Sequence, residues 1–374
     1  MSQVAALPLP AAPVSTASGD PYDDGANQFS PYKILNYWDR VQKLLRGERC
    51  YPITVEIDPT NLCNHACGWC VSLEAHSNRR IDFPILRERV VEMASLGVQS
   101  IVLKGGGEPT IYPEIVPLIR AIARAGLRVG LITNGSWADP AIDEAVLECV
   151  DWVRVSLDAA TPETHELIHR SRDFDRILAN TRSLAERAGR TTVGTNFCIH
   201  RENYREILDM GLLARDLGAR YASFRTALVR NDRLEMEIVD EMERQAALVR
   251  DLQGERFKVF LCNFSRDDLL QTVEPRFKFP RCLGPNLVGV LGGDGKVYAC
   301  CFLRGHAAFA MGDVGKQTFQ EIWDGDRRRE VMERAEQGDC GRVCLGGTTR
   351  MRYDYYNELL NYLADERKLH KEFV

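Results

Sequence analysis

Hydrophobic positions between residues 50 and 255 fall into short runs separated by longer stretches of helical spacing. The runs ITVEID (53–58), SIVLKG (100–105), RVGLIT (128–133), WVRVSL (152–157), TVGTNFCI (192–199) and YASFRT (221–226) are rich in β-branched residues and predict strands. Between them, apolar residues recur three and four positions apart and predict helices at about 83–96, 112–126, 139–149, 175–188, 202–217 and 232–252. Strand-then-helix units in succession predict a parallel sheet with right-handed crossovers. Six units are too few to close an eight-stranded barrel, so the expected fold is α/β, a partial (β/α)6 TIM-like barrel. In such a fold reactive groups gather where the strands end.

Those strand ends carry the candidate chemistry. NLCNHACGWC (61–70) follows the first strand and places Cys63, Cys67 and Cys70 within one loop. Three thiolates suit a soft metal centre and leave a coordination position open. After the second strand comes GGGEPT (105–110), whose glycines let backbone approach a ligand closely; without a Lys-Ser/Thr ending it is not a Walker loop. TNGSW follows the third strand with Asn134. Period-two alternation puts Arg154, Ser156 and Asp158 on one face of the fourth strand, and Asn196 and Cys198 on one face of the fifth. Turn chemistry accounts for any one of these strand ends, but poorly for all of them on one rim.

Composition narrows the setting. The 374 residues, 45% hydrophobic and 27% charged, suffice for a large core and about two domains. A net charge of −5 argues against a nucleic-acid partner, and the basic run DRRRE (326–330) reads as a solvated helix face. No apolar run approaches the ~18 residues of a membrane span. The Pro-broken N-terminus lacks a basic n-region, so it reads as a disordered tail rather than a secretory signal, and the expected location is cytoplasmic. In that compartment twelve cysteines suggest metal rather than disulfides. Cys50, Cys149, Cys198 and Cys262 are scattered, and for most of them burial as a small hydrophobe is the plain reading.

The spacing Cys63-x3-Cys67-x2-Cys70, with Trp69 before the third cysteine and GGGEP, TNG and SLDA following in order, resembles the radical S-adenosylmethionine superfamily over roughly residues 50–255. The resemblance implies that the three thiolates hold a 4Fe-4S cluster whose fourth iron is chelated by the methionine moiety of S-adenosylmethionine. One-electron cleavage of the sulfonium then yields a 5′-deoxyadenosyl radical that abstracts hydrogen from a C–H bond. It further implies that Gly106, Gly107 and Glu108 meet the methionine amino group, that Asn134, Ser156, Asp158 and Asn196 serve the carboxylate, ribose and adenine, and that an external one-electron donor such as flavodoxin or ferredoxin is needed. A zinc site with a distant fourth ligand is the rival reading of the triplet.

The remaining cysteines cluster late. NLVGVLGGDGKVYACC (286–301) predicts a hairpin turning at Gly293-Asp294-Gly295, which brings Cys282 and Cys300 together; alternation points Cys300 and Cys301 to opposite faces. Cys340-x3-Cys344 supplies two more thiolates, and four make a closed site. Cys282, Cys300, Cys340 and Cys344 are similar to the ligands of the twitch form of the SPASM region, which implies an auxiliary 4Fe-4S cluster; a structural zinc is the alternative. The expected organisation is a disordered tail (1–28), a core barrel with an N-terminal helix (29–255), an auxiliary-cluster domain of β-hairpin and helix (256–350), and a C-terminal amphipathic helix (351–374).

The resemblance implies either a ribosomal peptide or a small polyol, amino-sugar, aminocyclitol or nucleoside-type intermediate as substrate. The stretch ahead of the first strand, a Pro-rich tail and a helix at about 31–46, holds no winged leader-binding module, which favours the small molecule. Oxidation by a dehydrogenase needs an electron acceptor, which an auxiliary cluster supplies. Epimerisation needs a thiol as hydrogen-atom donor, for which Cys198 is the candidate, with Cys262 and Cys301 behind it. Dehydration of a diol is a third route, and an electron-transfer protein that never cleaves the sulfonium is the reading from outside enzymology.

Overall fold

The computed structural model describes residues 31–365 apart from 228–233, 263, 271–279, 343 and 345–351. The stretch 1–28 and residues 366–374 lie outside the described residues. Each of the six predicted runs forms a strand: β1 (Thr54–Ile57), β2 (Ser100–Leu103), β3 (Arg128–Thr133), β4 (Trp152–Ser156), β5 (Thr192–Ile199) and β6 (Tyr221–Thr226). They pair in parallel in chain order, with β7 (Lys258–Cys262) beyond β6. Beyond β6 the sheet is therefore one parallel strand longer than six units predict. Its KVFLC run is not among the six that the sequence pattern marks.

Helices α1 (Trp38–Leu45), α2 (Phe83–Ser95), α3 (Ile115–Arg124) and α4 (Pro140–Cys149) precede α5 (Pro162–His169), α6 (Phe174–Arg187), α7 (Ile207–Asp216) and α8 (Met236–Arg250). Apolar stripes such as Ile115, Leu118, Ile119 and Ile122 of α3 face the sheet and are buried in the main core. Helix α5 has no counterpart among the predicted helices. Its start was nonetheless encoded: Thr161 caps the Thr164 amide, and Pro162 occupies the first turn, where a missing N–H costs nothing.

The C-terminal region continues the same sheet. After the short helix α9 (Arg266–Leu270), strands β8 (Val288–Leu291) and β9 (Lys296–Tyr298) form the expected hairpin, and β10 (Ala310–Asp313) pairs antiparallel with β9. Strand β8 also pairs in parallel with β1, Thr54 facing Val288 and Ile57 facing Leu291. The strand order is thus β10-β9-β8-β1-β2-β3-β4-β5-β6-β7, an unclosed barrel with its hairpin grafted onto the first strand. Helices α10 (Phe319–Asp324), α11 (Asp326–Glu336) and α12 (Arg352–Ala364) cover this edge. A second small core gathers Ile34, Val41 and Leu44 with Leu283, Leu287, Tyr356 and Leu360, so the first and last described helices meet over the start of β8.

Trp323 clamps the graft. It is 1% exposed, donates its indole N–H to the Cys50 carbonyl at 2.9 Å, stacks on Phe319 and lies 4.4 Å beneath the Arg328 guanidinium. Removing so large a buried ring costs about 3–5 kcal/mol. Trp323→Ala is therefore expected to speed amide exchange in residues 53–58 and 287–291 together, measured by hydrogen-exchange mass spectrometry. A rise confined to 287–291 would mean that the hairpin opens independently of the barrel.

Candidate active site

The cysteine loop is folded against its neighbour by backbone packing. Leu62 N–H donates to Thr60 Oγ1, and the Leu62 carbonyl accepts from Glu108 N–H at 2.8 Å. Gly107 sits so close that a β-carbon there would lie 1.9 Å from the Leu62 oxygen. Only glycine allows this approach. Gly106 is buried against Asn61 and Asp58, while Gly105 and Gly107 line the cavity. The Glu108 carboxylate accepts from Thr110 N and Oγ1, Thr133 Oγ1 and Asn134 N at 2.6–2.9 Å, so it ties the β2 loop to the β3 loop. What this loop presents to a ligand is its backbone.

Cys63, Cys67 and Cys70 face one cavity of about 330 Å³, together with Asn134, Ser156, Asp158, Asn196 and Cys198. The residues that alternation placed on one face of β4, Arg154 among them, and of β5 meet here, joined by Arg225 and Cys262. Asn134 is held by Asn64 of the cysteine loop, its amide donating to Asn64 Oδ1 at 2.8 Å. Asn196 donates to Cys198 Sγ at 3.3 Å, while its own Oδ1 is buried with no hydrogen-bond partner among the described residues. Burial pushes the Cys63 thiol up to about 11 and raises those of Cys67 and Cys70 as well. Thiols of this kind give up their protons to a metal rather than to solvent.

Helix α5 contributes what sequence reasoning missed. His165 and His169, four residues apart on one face, pack with His65 at centroid distances of 4.6–5.7 Å. His169 Nδ1 lies 3.0 Å from Cys67 Sγ, and its Nε2 lies 3.4 Å from Asp158 Oδ2. Burial, reinforced by the neighbouring imidazoles, holds His169 well below the ordinary histidine range, so it is neutral. Asp173 accepts from both His65 Nε2 and His165 Nε2 at 2.9 Å. Burial pushes its carboxyl up, but hydrogen bonds from His65, Ser171 and His165 outweigh this and hold it well below the usual range. Asp158 is raised to about 7 by burial, although its Oδ1 accepts the Cys198 N–H at 2.6 Å. A line of contacts therefore runs from Cys67 through His169 and Asp158 to Cys198.

The late cysteines also meet. The Cys300 thiol is raised by its hydrogen bond with Cys301 and by burial, and feels Cys344; Cys340 is raised by its hydrogen bond with Cys344 and by burial, and feels Cys282. Asn357 of α12 donates to Cys282 Sγ at 3.3 Å. Strand β9 ends at Tyr298 and a 3-10 turn begins at Cys301, so the expected opposition of Cys300 and Cys301 fails: strand alternation does not extend that far, and the two sulfurs are neighbours. Arg304, just beyond, reaches back to the barrel. Its Nε lies 2.7 Å from Asp58 Oδ2, and it donates to Ser72 Oγ at 3.1 Å.

An open α/β barrel with three cysteines in the loop after its first strand, and four more gathered in the C-terminal region, suits a protein with two soft-metal centres. Comparison with known proteins agrees: the radical SAM superfamily matches residues 57–214, and the iron-sulfur cluster-binding domain SPASM matches residues 282–345. The chain carries a radical SAM domain and a SPASM iron-sulfur cluster-binding domain. It is 27% identical over 301 residues to the AdoMet-dependent heme synthase of Methanosarcina barkeri, covering 74% of this chain and 83% of that one. A probable GTP 3′,8-cyclase of Saccharolobus islandicus is 23% identical over 295 residues, covering 75% of this chain and 91% of its own. Among solved structures, Streptococcus suis SuiB superposes with a TM-score of 0.63 at 15% identity, covering 86% of this chain and 80% of that chain. These two domains imply 4Fe-4S clusters and S-adenosylmethionine.

The residues fit those groups. Cys63, Cys67 and Cys70 supply three soft donors, and the cavity beside them is lined by the Gly107 backbone and by Asn196, whose Oδ1 has no hydrogen-bond partner among the described residues. Reconstituted protein is expected to hold about eight irons per chain, falling to about four in the triple Cys63, Cys67 and Cys70 to Ala variant, with Cys301→Ala unchanged. About four irons with one zinc would make the late site structural. Gly107→Ala, which forces the cysteine loop outward, is expected to lower iron retention in the same assay.

Proposed function

We propose that this enzyme inverts a carbon centre in a small polyol, amino-sugar, aminocyclitol or nucleoside-type substrate, with Cys198 as the hydrogen-atom donor. When bound, the cluster and S-adenosylmethionine supply the one-electron chemistry that removes hydrogen from the substrate carbon. The chain's task is to hold that carbon and to return hydrogen from the other side.

The observation that carries this reading is the Cys198 thiol, which lines the same cavity as the three loop cysteines and is kept protonated. Burial and the adjacent Asp158 push it up to about 12 against the smaller opposing effects of Arg225, Asn196 and Arg154. A hydrogen-atom donor must carry an S–H bond, which a thiolate lacks. After donation the sulfur is short of one electron and one proton, and an external one-electron donor such as flavodoxin or ferredoxin restores the electron while solvent restores the proton. Such a soluble partner suits a cytoplasmic enzyme, and among the described residues no helix is long and apolar enough to cross a membrane.

Oxidation by a dehydrogenase is the second reading, favoured by the Cys282, Cys300, Cys340 and Cys344 set as a place for an electron acceptor. A small substrate is supported by two relatives' names, a heme synthase and a GTP cyclase, and opposed by a third, the PqqA peptide cyclase of Ruegeria pomeroyi, 34% identical over 174 residues. The polar lining beyond the cysteine loop weighs against a pure electron-transfer protein.

The test runs in deuterium oxide with candidate substrates and mass spectrometry of the product. Epimerisation is expected to install one deuterium at the inverted carbon, and Cys198→Ala to abolish that uptake while 5′-deoxyadenosine still forms. A product lighter by two hydrogens, made equally well by Cys198→Ala, would establish dehydrogenation instead.

A further inference from the structure

Two arginines occupy the cavity side of the barrel strands. Arg154 lies on β4, two residues before Ser156 and therefore roughly 7 Å deeper than the rim. Its register partner on β5 is Gly194, where a β-carbon would lie 2.2 Å from the Tyr221 ring; the aromatic fills the space below. Arg225, on β6, is in register with Cys198 of β5 and Cys262 of β7. Both guanidinium-bearing residues line the cavity beside Cys198.

Arg154 has no carboxylate within ion-pair distance among the described residues, and its Nε is buried without a hydrogen-bond partner. Burial and then the like charge of Arg225 lower it to about 10, which still leaves it charged at neutral pH. The nearby groups that favour its charge are Tyr221, Cys198 and Cys262, none of them a carboxylate. Arg154 is half-buried with its Nε sealed from water, and a guanidinium held there beside a second one carries a desolvation cost that an arriving anion would offset. The planar fork of arginine matches carboxylate and phosphate oxygens in pairs.

We infer that the cavity floor is an anion subsite: the substrate carries a carboxylate or phosphate group that sits on Arg154 with Arg225 alongside, presenting its neutral part to Cys198. The inference rests on the reading of this cavity as the substrate site, and narrows the substrate to an acidic derivative of a polyol, sugar, cyclitol or nucleoside. The carboxylate of S-adenosylmethionine is the competing anion. The depth of Arg154 below Ser156, away from the cysteine loop at the rim, argues against it.

The test is calorimetric titration of reconstituted protein saturated with S-adenosylmethionine, using inorganic phosphate and acetate as separate probes. At least one probe is expected to bind, and Arg154→Gln to weaken it by about tenfold or more, with Arg154→Lys in between. The stronger probe distinguishes phosphate from carboxylate. No binding of either probe to the saturated protein, or equal binding by Arg154→Gln, would overturn the inference. Melting temperature without added anion is the second readout. Removing an unpaired buried charge is expected to leave it equal or higher, whereas a lower value would mark Arg154 as structural and sink the proposal. Deuterium uptake at the substrate carbon, compared with Cys198→Ala, reports on the donor and is blind to this result, so either conclusion can fail alone.

Discussion

The carboxylate of Glu108 organises this site. It is 3% exposed and accepts from four donors, two on Thr110, one on Thr133 and one on Asn134. Hydrogen bonds to a charged acceptor are about twice as strong as neutral ones, and leaving any of these donors buried and unmet would cost more than the bond contributes. The β2 loop is thus locked to the end of β3. From there Asn134 grips Asn64, and the Glu108 amide grips Leu62, so the cysteine loop is positioned from two sides. A loop of ten residues that must point three sulfurs into one cavity has little core of its own, and its shape is borrowed from these neighbours.

The hairpin graft extends the same logic to the C-terminal region. Because β8 hydrogen-bonds to β1, the late cysteines are carried by the sheet that carries the cysteine loop. Arg304 adds a buried ion pair to Asp58 at the end of β1 and a hydrogen bond to Ser72, two residues beyond Cys70. Asp58 is raised to about 6 by burial despite the opposing charges of Arg304 and Lys104. A buried pair of this kind is weak grounds for stability but a strong determinant of register, since a shifted hairpin would leave both charges unmet. The two cysteine groups are therefore held in fixed relation through one strand and one arginine.

Much of this was legible in the chain because the physics is local. β-branched runs gave the strands, and glycine after strand two signalled the close approach that Gly107 makes. Period-two alternation correctly put Ser156, Asp158, Asn196 and Cys198 into a shared cavity. Non-local facts were harder. Nothing in residues 288–291 announces that they pair with β1 rather than only with β9. Helix α5 was overlooked because its apolar positions are few, although Thr161-Pro162 is a strong start signal, and with it went His165 and His169. Cys300 and Cys301 show the limit of alternation, which holds only as far as the ladder does.

The arrangement of walls bears on which reaction the cavity favours. Cys67 belongs to the loop after β1, and Cys198 to β5, four strands further around the sheet. Between them stand His169, within 3.0 Å of the Cys67 sulfur, and Asp158, which accepts the Cys198 amide. On the proposed reading, a substrate held in this cavity would have the cysteine loop on one side and the Cys198 thiol on another. Oxidation needs no group opposite the point of abstraction, only a path for one electron. Inversion needs a protonated donor on that far wall, shielded from water so that it stays a thiol. Burial supplies the protonation, and Asn196 donates to the same sulfur. On the proposed reading, β5 serves to set the distance and direction from which hydrogen returns, which is why a thiol placed there bears on stereochemistry where one buried in the core, as Cys149 is, does not.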